Sequence, residues 1–175
     1  MRTDETTLTS ATSAPGATGV TGVTFPVPKQ YMHRFFSGGK TVFVKPATVF
    51  KELRRGMRLV FYQSHEDTGY VGEATIRRIL IAADPLTFYD TYGDAVFLTR
   101  DEMIAYLENQ ERWKAVRVRK GKENENGSEN ENVNGSENKS RKRDWMALEL
   151  EDIRAYGAVQ KPERFVPVGG RYLRE

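Results

Sequence analysis

A stretch rich in Asn, Glu, Ser and Gly over residues 120–143 cuts through the apolar patterning of this 175-residue chain, and it does most to limit the folds available. It holds the near-repeat ENENGS and ENENVNGS and ends in the basic cluster Lys139, Arg141, Lys142 and Arg143. Such a composition buries too little apolar surface to offset the entropy of ordering, so it reads as a low-complexity insertion, most simply a long hairpin loop. What lies on either side must then pack together, because neither 25–119 nor 144–175 carries enough strands to close a barrel alone. Residues 1–24, mostly Thr, Ser, Ala and Gly, read as a disordered N-terminal tail. The expectation is a single domain over 25–175, interrupted at 120–143.

Hydrophobic residues make up 38% of the chain, which suffices for one modest core. No apolar run reaches the roughly 20 residues that a spanning helix requires, so no membrane partner is expected. Cysteine is absent, which excludes disulfides, thiolate metal sites and cysteine nucleophiles, and His33 and His65 are the sole imidazoles. Neither a metal nor another cofactor is expected. The N-terminus lacks a basic segment followed by an apolar one, so the cytoplasm is the expected compartment. A net charge of +3 is mild, and it belongs to the folded remainder, since the tail is slightly acidic and the insertion nearly neutral.

The periodicities predict a mixed α+β fold. Thr41 to Lys45 alternates through Val42 and Val44, and Met57 to Tyr62 through Leu59 and Phe61, so both read as half-buried strands. Between them Pro46 to Arg55 spaces Val49, Phe50 and Leu53 as a short helix closed by Gly56. Tyr70 to Ile81 reads as the longest strand, with the doublet Arg77-Arg78 breaking its alternation as a bulge or a strand leaving the sheet would. Asp84-Pro85 has the form of a helix start, and Thr99 to Glu102 that of a capping box before Met103, Ile104 and Leu107. Ala115 to Arg119 and Trp145 to Leu150 alternate again on either side of the insertion, and Arg164 to Val168 is a further edge-strand candidate. The sum is a small mixed β-barrel of five or six strands with about three short flanking helices.

Three segments resemble the PUA-like superfamily, in particular its ASCH and EVE branches. Ser37 to Lys45 lies on the ASCH signature GxKxxExR with Gly38 and Lys40 matching, while Phe43 stands for the Glu and Lys45 for the Arg. Arg55 to Ser64 followed by Tyr70 to Ala74 is similar to the strand pair of EVE-type domains, and Phe165 to Leu173 to the closing segment of an uncharacterised archaeal branch. The resemblance implies a small barrel whose side pocket receives RNA or a nucleobase, often a modified one. Some ASCH relatives are amidohydrolases of acylated cytidine that use the motif Lys, a hydroxyl residue three positions later and an acid. Here that position holds Phe43, which counts against catalysis, and no catalytic residue is assigned.

A nucleobase site needs a stacking face, groups for the base edge and cations for phosphate, and Tyr62, Gln63, Ser64, Lys40 and Lys45 supply these types. Lys40 and Lys45 lie five apart, so a regular strand turns them to opposite faces. Lys45, before Pro46 and the predicted helix N-terminus, is the better placed for an anion. Two solvated lysines and an ordinary barrel tyrosine are the plain alternatives. Glu73, between Gly72 and Ala74, reads either as an acceptor for a base or as a structural ion pair. Arg117 and Arg119 share one face of the strand predicted there, with Trp113 and Trp145 nearby in sequence, a basic and aromatic mix that suits single-stranded nucleic acid. The preferred reading is a noncatalytic binding module for RNA or a modified nucleotide, with DNA as a second polymer. An amidohydrolase acting on a modified nucleoside and a protein-interaction scaffold are the alternatives.

Overall fold

The computed structural model describes residues 19–47, 50–123 and 143–175. Six strands form one mixed sheet: β1 (Val20–Pro28), β2 (Val42–Pro46), β3 (Arg58–Ser64), β4 (Gly69–Ala82), β5 (Trp145–Gln160) and β6 (Arg171–Arg174). They are ordered β2-β5-β4-β3-β1-β6, with β1 and β3 parallel and the other neighbours antiparallel. Three α-helices accompany them: α1 (His33–Phe36), α2 (Phe88–Tyr92) and α3 (Arg100–Glu123). The six strands and three helices agree with the α+β barrel-like expectation, but the sheet curls into a half-barrel rather than closing.

The strand that closes most of the core begins inside the stretch read as tail. In β1, Val23, Phe25 and Val27 alternate into the core and are essentially inaccessible, while Pro26 and Pro28 argue from sequence against a central strand. The register resolves the conflict, because β6 pairs with β1 over Val20–Thr24 and ends before the prolines. Their missing N–H groups therefore fall where the outer edge has no strand neighbour. Gly22 permits the approach of β3: a Cβ there would lie 2.0 Å from the Arg58 carbonyl oxygen.

Four other expectations are corrected. Pro46 to Arg55 does not form a helix in its described part; Pro46 pairs with Trp145 as the last residue of β2, and Phe50 and Leu53 reach the core from turns. The strand predicted over Ala115–Arg119 is instead the continuation of α3, a helix of 24 residues, because Glu, Arg, Lys, Gln and Ala outweigh the two valines. β5, with 16 residues, is longer than β4, with 14, and the last strand is Arg171–Arg174 rather than Arg164–Val168. The bulge at Arg77 is present, as is the Asp84 cap, whose Oδ1 accepts from the Leu86 N–H at 2.9 Å.

The concave face holds one core of Phe25, Phe43, Phe61, Met146, Leu148 and their neighbours, and the helices α2 and α3 cover the outer face of β2 and β5. The capping box at the start of α3 forms as predicted: the Thr99 N–H donates to Glu102 Oε2 at 2.8 Å, and the Glu102 N–H to Thr99 Oγ1 at 3.2 Å. Glu102 also accepts two hydrogen bonds of 2.7 Å from Arg34 of α1. This guanidinium, with the Thr99 amide, pulls the Glu102 pKa down to about 2. Glu102→Gln keeps a capping side chain but removes the charge. Because the carboxylate is partly exposed, the expected loss is about 1 kcal/mol at neutral pH. A depressed acid contributes above its unfolded pKa, so wild type and variant should converge as pH falls from about 4.5 towards 2, which urea titrations at three pH values would show.

Candidate nucleic-acid interface

In sheet order β1 and β2 stand three strands apart, yet the rings of Phe25 and Phe43 pack with centroids 5.5 Å apart. The curl therefore brings the end of β1 that extends beyond β6 to face β2 across a seam. Between Pro26–Pro28 and Phe43–Pro46 lies a mostly apolar cavity of about 160 Å³, walled also by Phe97, Tyr106 of α3 and Trp145. Tyr106 is exposed at its rim, edge-on to Trp145 at 6.3 Å.

Lys45 is the charged residue of this cavity. Its Nζ lies 4.7 Å from the centre of the Phe25 ring and 5.9 Å from that of Phe43. Among the described residues no carboxylate reaches ion-pair distance of it, and burial pushes its pKa down to about 8. The ammonium is thus held against ring faces, while its N–H donors find no acceptor among the described residues. A ligand bringing an oxygen or ring-nitrogen acceptor and a flat face would satisfy both. The helix N-terminus predicted beside Lys45 is absent from the described residues: the Ala47 N–H donates instead to the Asp144 carbonyl at 2.8 Å. What recommends Lys45 is the seam, not a helix dipole.

The other sequence-predicted residues do not gather around it. Lys40 donates through Nζ to the Asp94 carbonyl at 2.6 Å, tying the approach to β2 to a turn. Tyr62, Gln63 and Ser64 lie opposite Pro26, Val27 and Pro28 in the parallel β1–β3 register, so they flank the far side of the seam wall. Gln63 is buried and donates to the Glu66 and Asp67 carbonyls at 3.1 Å, holding the turn in which His65 and Asp67 take positive φ. Ser64 Oγ hydrogen-bonds His65 Nδ1 at 3.1 Å, and Tyr62 meets the Tyr70 ring edge-on at 6.0 Å.

Glu73 adopts the structural alternative. Its carboxylate accepts from Tyr156 Oη at 2.6 Å and from Arg154 Nε at 2.8 Å, with a further short contact to Arg154 Nη2 and Arg58 Nη1 at 3.4 Å. The Tyr156 hydrogen bond and the arginines hold its pKa below the usual range. Arg117 and Arg119 fall in α3 rather than in the predicted strand, and their side chains lie outside the described residues. Trp145 is buried. Sequence reasoning missed Phe25 and Tyr106; the alternation Val23, Phe25, Val27 was the signal for the first, and for the second there was none, since its place depends on how α3 docks.

A family model covers residues 20–175, beginning at the first residue of β1. The chain belongs to the family described as a domain of unknown function, DUF365. The DUF365 chain is 30% identical over 120 residues to an uncharacterised protein, MJECS03, of the archaeon Methanocaldococcus jannaschii, an alignment spanning 68% of this chain and 91% of the relative. Its fold is similar to two crystal structures of point mutants of ASCH from Zymomonas mobilis, with TM-scores of 0.53 and 0.54 and 16% identity. Those alignments cover 89% and 90% of this chain and 91% of each ASCH chain. The DUF365 domain therefore has an ASCH-like fold, and no described helix is long and apolar enough to cross a membrane.

Proposed function

We propose that this DUF365 domain binds RNA by seating one unstacked base in the seam between β1 and β2. The observation that carries the reading is the Lys45 ammonium, held among Phe25 and Phe43 with no carboxylate partner among the described residues. Tyr106 and Trp145 line the same cavity, and a donor without an acceptor gains most when a ligand supplies one. A space of about 160 Å³ suits a single ring system and excludes a duplex, so the target is single-stranded or splayed out. The ASCH-like fold supports the same reading, as an analogy of fold. Binding is favoured over hydrolysis because position 43, where the amidohydrolase pattern asks for a hydroxyl, carries a phenyl ring packed against Phe25, Phe35 and Phe97.

The test is fluorescence anisotropy with a labelled single-stranded RNA pool and matched DNA, at low and moderate salt. Lys45→Met should weaken RNA binding about 10-fold or more, the worth of a charge-assisted hydrogen bond, and Tyr106→Ala about 5-fold or more through lost stacking. Tighter binding of RNA than of DNA would mark the 2′-hydroxyl as part of the site. Wild-type affinity in both variants would sink the reading.

A further inference from the structure

Away from the seam, on the outer face of the sheet, the bulge in β4 does something a regular strand cannot. Ile76 and Ile79 both face the inner core, paired with Leu150 and Leu148 of β5. Between the two isoleucines β4 places two residues, Arg77 and Arg78, where β5 places one, Glu149. The extra residue sends both arginines to the same side, and the carboxylate records it: Arg77 Nε lies 3.6 Å from Glu149 Oε1, and Arg78 Nε 2.9 Å from Oε2. A bulge interrupts the ladder, and neither arginine returns core packing, since their side chains stay 61% and 53% exposed.

Arg55, from the turn before β3, joins them around an open groove of about 520 Å³. Three guanidiniums thus face one carboxylate, and that carboxylate is already engaged by Arg78, Arg77 and the Tyr92 hydroxyl at 3.1 Å. Arg78 is further fixed over the Tyr92 ring at 5.6 Å. Arg55 forms no hydrogen bond or ion pair with any described residue, and the remaining contact of Arg77, to the exposed Glu151, is 4.0 Å long. The groove therefore presents unspent planar donors beside one that is oriented in advance. Guanidinium forks match tetrahedral oxyanions, whose oxygens accept two parallel N–H bonds.

We infer that the Arg55–Arg77–Arg78 groove is a phosphate-oxyanion site, with Glu149 and Tyr92 as its positioning residues. The inference deepens the RNA reading and rests on it for the source of the phosphates, the phosphodiester backbone rather than a free anion. Two probes separate these. Inorganic pyrophosphate, followed by the arginine Nε–Hε resonances of the full chain, reads the groove itself. A labelled decauridylate, titrated over a salt series against wild type and Arg55→Gln/Arg77→Gln, reads the polymer. The groove predicts shifts of the Arg77 and Arg78 signals with pyrophosphate in wild type, and loss of the Arg78 shift in the double variant. It also predicts a salt slope shallower by about 0.7 for each phosphate contact removed. Resonances that pyrophosphate leaves in place, with an unchanged slope, would overturn the groove while leaving Lys45-dependent binding intact. Pyrophosphate shifts without any decauridylate binding would support the groove as an anion site and overturn the RNA reading instead.

Discussion

Replacing Phe25 by alanine is expected to destabilise the protein by about 3–5 kcal/mol, a large share of the total stability of a domain this size. The ring is inaccessible and packs with Phe43 at 5.5 Å and edge-on with Phe50 at 4.9 Å, so it joins the inner wall of β1 to β2 and to the turn after it. β1 and β2 share no ladder in the strand order, so side chains rather than backbone hydrogen bonds span that seam. Removing the phenyl group leaves a cavity that two strands held by other partners cannot collapse to fill. Phe165→Ala is the matched control: that ring is 83% exposed, and its loss should stay within about 0.5 kcal/mol. Equilibrium urea unfolding decides the matter. A Phe25→Ala midpoint equal to that of Phe165→Ala would show that the seam is not held by this ring.

Lys45→Met is expected to change the pH dependence of stability in a definite direction. In the folded protein burial lowers the Lys45 pKa from 10.5 to about 8, so the native state releases its proton before the unfolded chain does. Between these two values the unfolded chain binds more protons, and stability must rise with pH through that window. The total gain is about 1–3 kcal/mol. Methionine fills similar space and carries no charge, so the variant lacks this limb. It should therefore be more stable than wild type at pH 7, and the difference should shrink by pH 10. Every other ionisable group is common to both proteins and cancels in the comparison. A constant difference in urea midpoint at pH 7, 8.5 and 10 would remove desolvation as the description of this site. Under the proposed function, the same residue would weaken the fold and serve the ligand.

The hairpin of β3 and β4, the Arg77 bulge and the Thr99 capping box were legible in the sequence because each is a local pattern: alternation, a broken alternation, and a hydroxyl three residues before a carboxylate. β1 was obscured by two prolines whose tolerance depends on where β6 stops, a fact of tertiary register. The stretch around Arg117 and Arg119 alternates for a few residues, yet it is helical, since two valines among strong helix formers do not set a strand period. Lys45 was singled out from sequence for a helix end that is not there, whereas its isolation arises from Phe25 of the strand that was missed. Gln63, Ser64 and Glu73 were chosen for their chemical type, and each has found a partner within the fold. Residues 124–142 of the insertion and the tail before residue 19 lie outside the described residues, and α3 runs on to Glu123.

The length of β5 carries a further consequence. β2 pairs with its first five residues, Trp145–Glu149, and the Leu150 N–H still donates to the Thr41 carbonyl, so from Glu151 to Gln160 the strand has one strand neighbour among the described residues and an open flank. Such a flank is a template on which a second molecule could add a strand, the first step of fibrous self-association. Here the template is interrupted: the ladder shifts register between Glu73 and Thr75, Asp152 turns to φ 52°, and Glu151, Asp152 and Arg154 crowd charge onto four consecutive positions. A straight incoming strand cannot keep step with that backbone, so the kink that fits β5 to its own sheet also denies the edge to other chains.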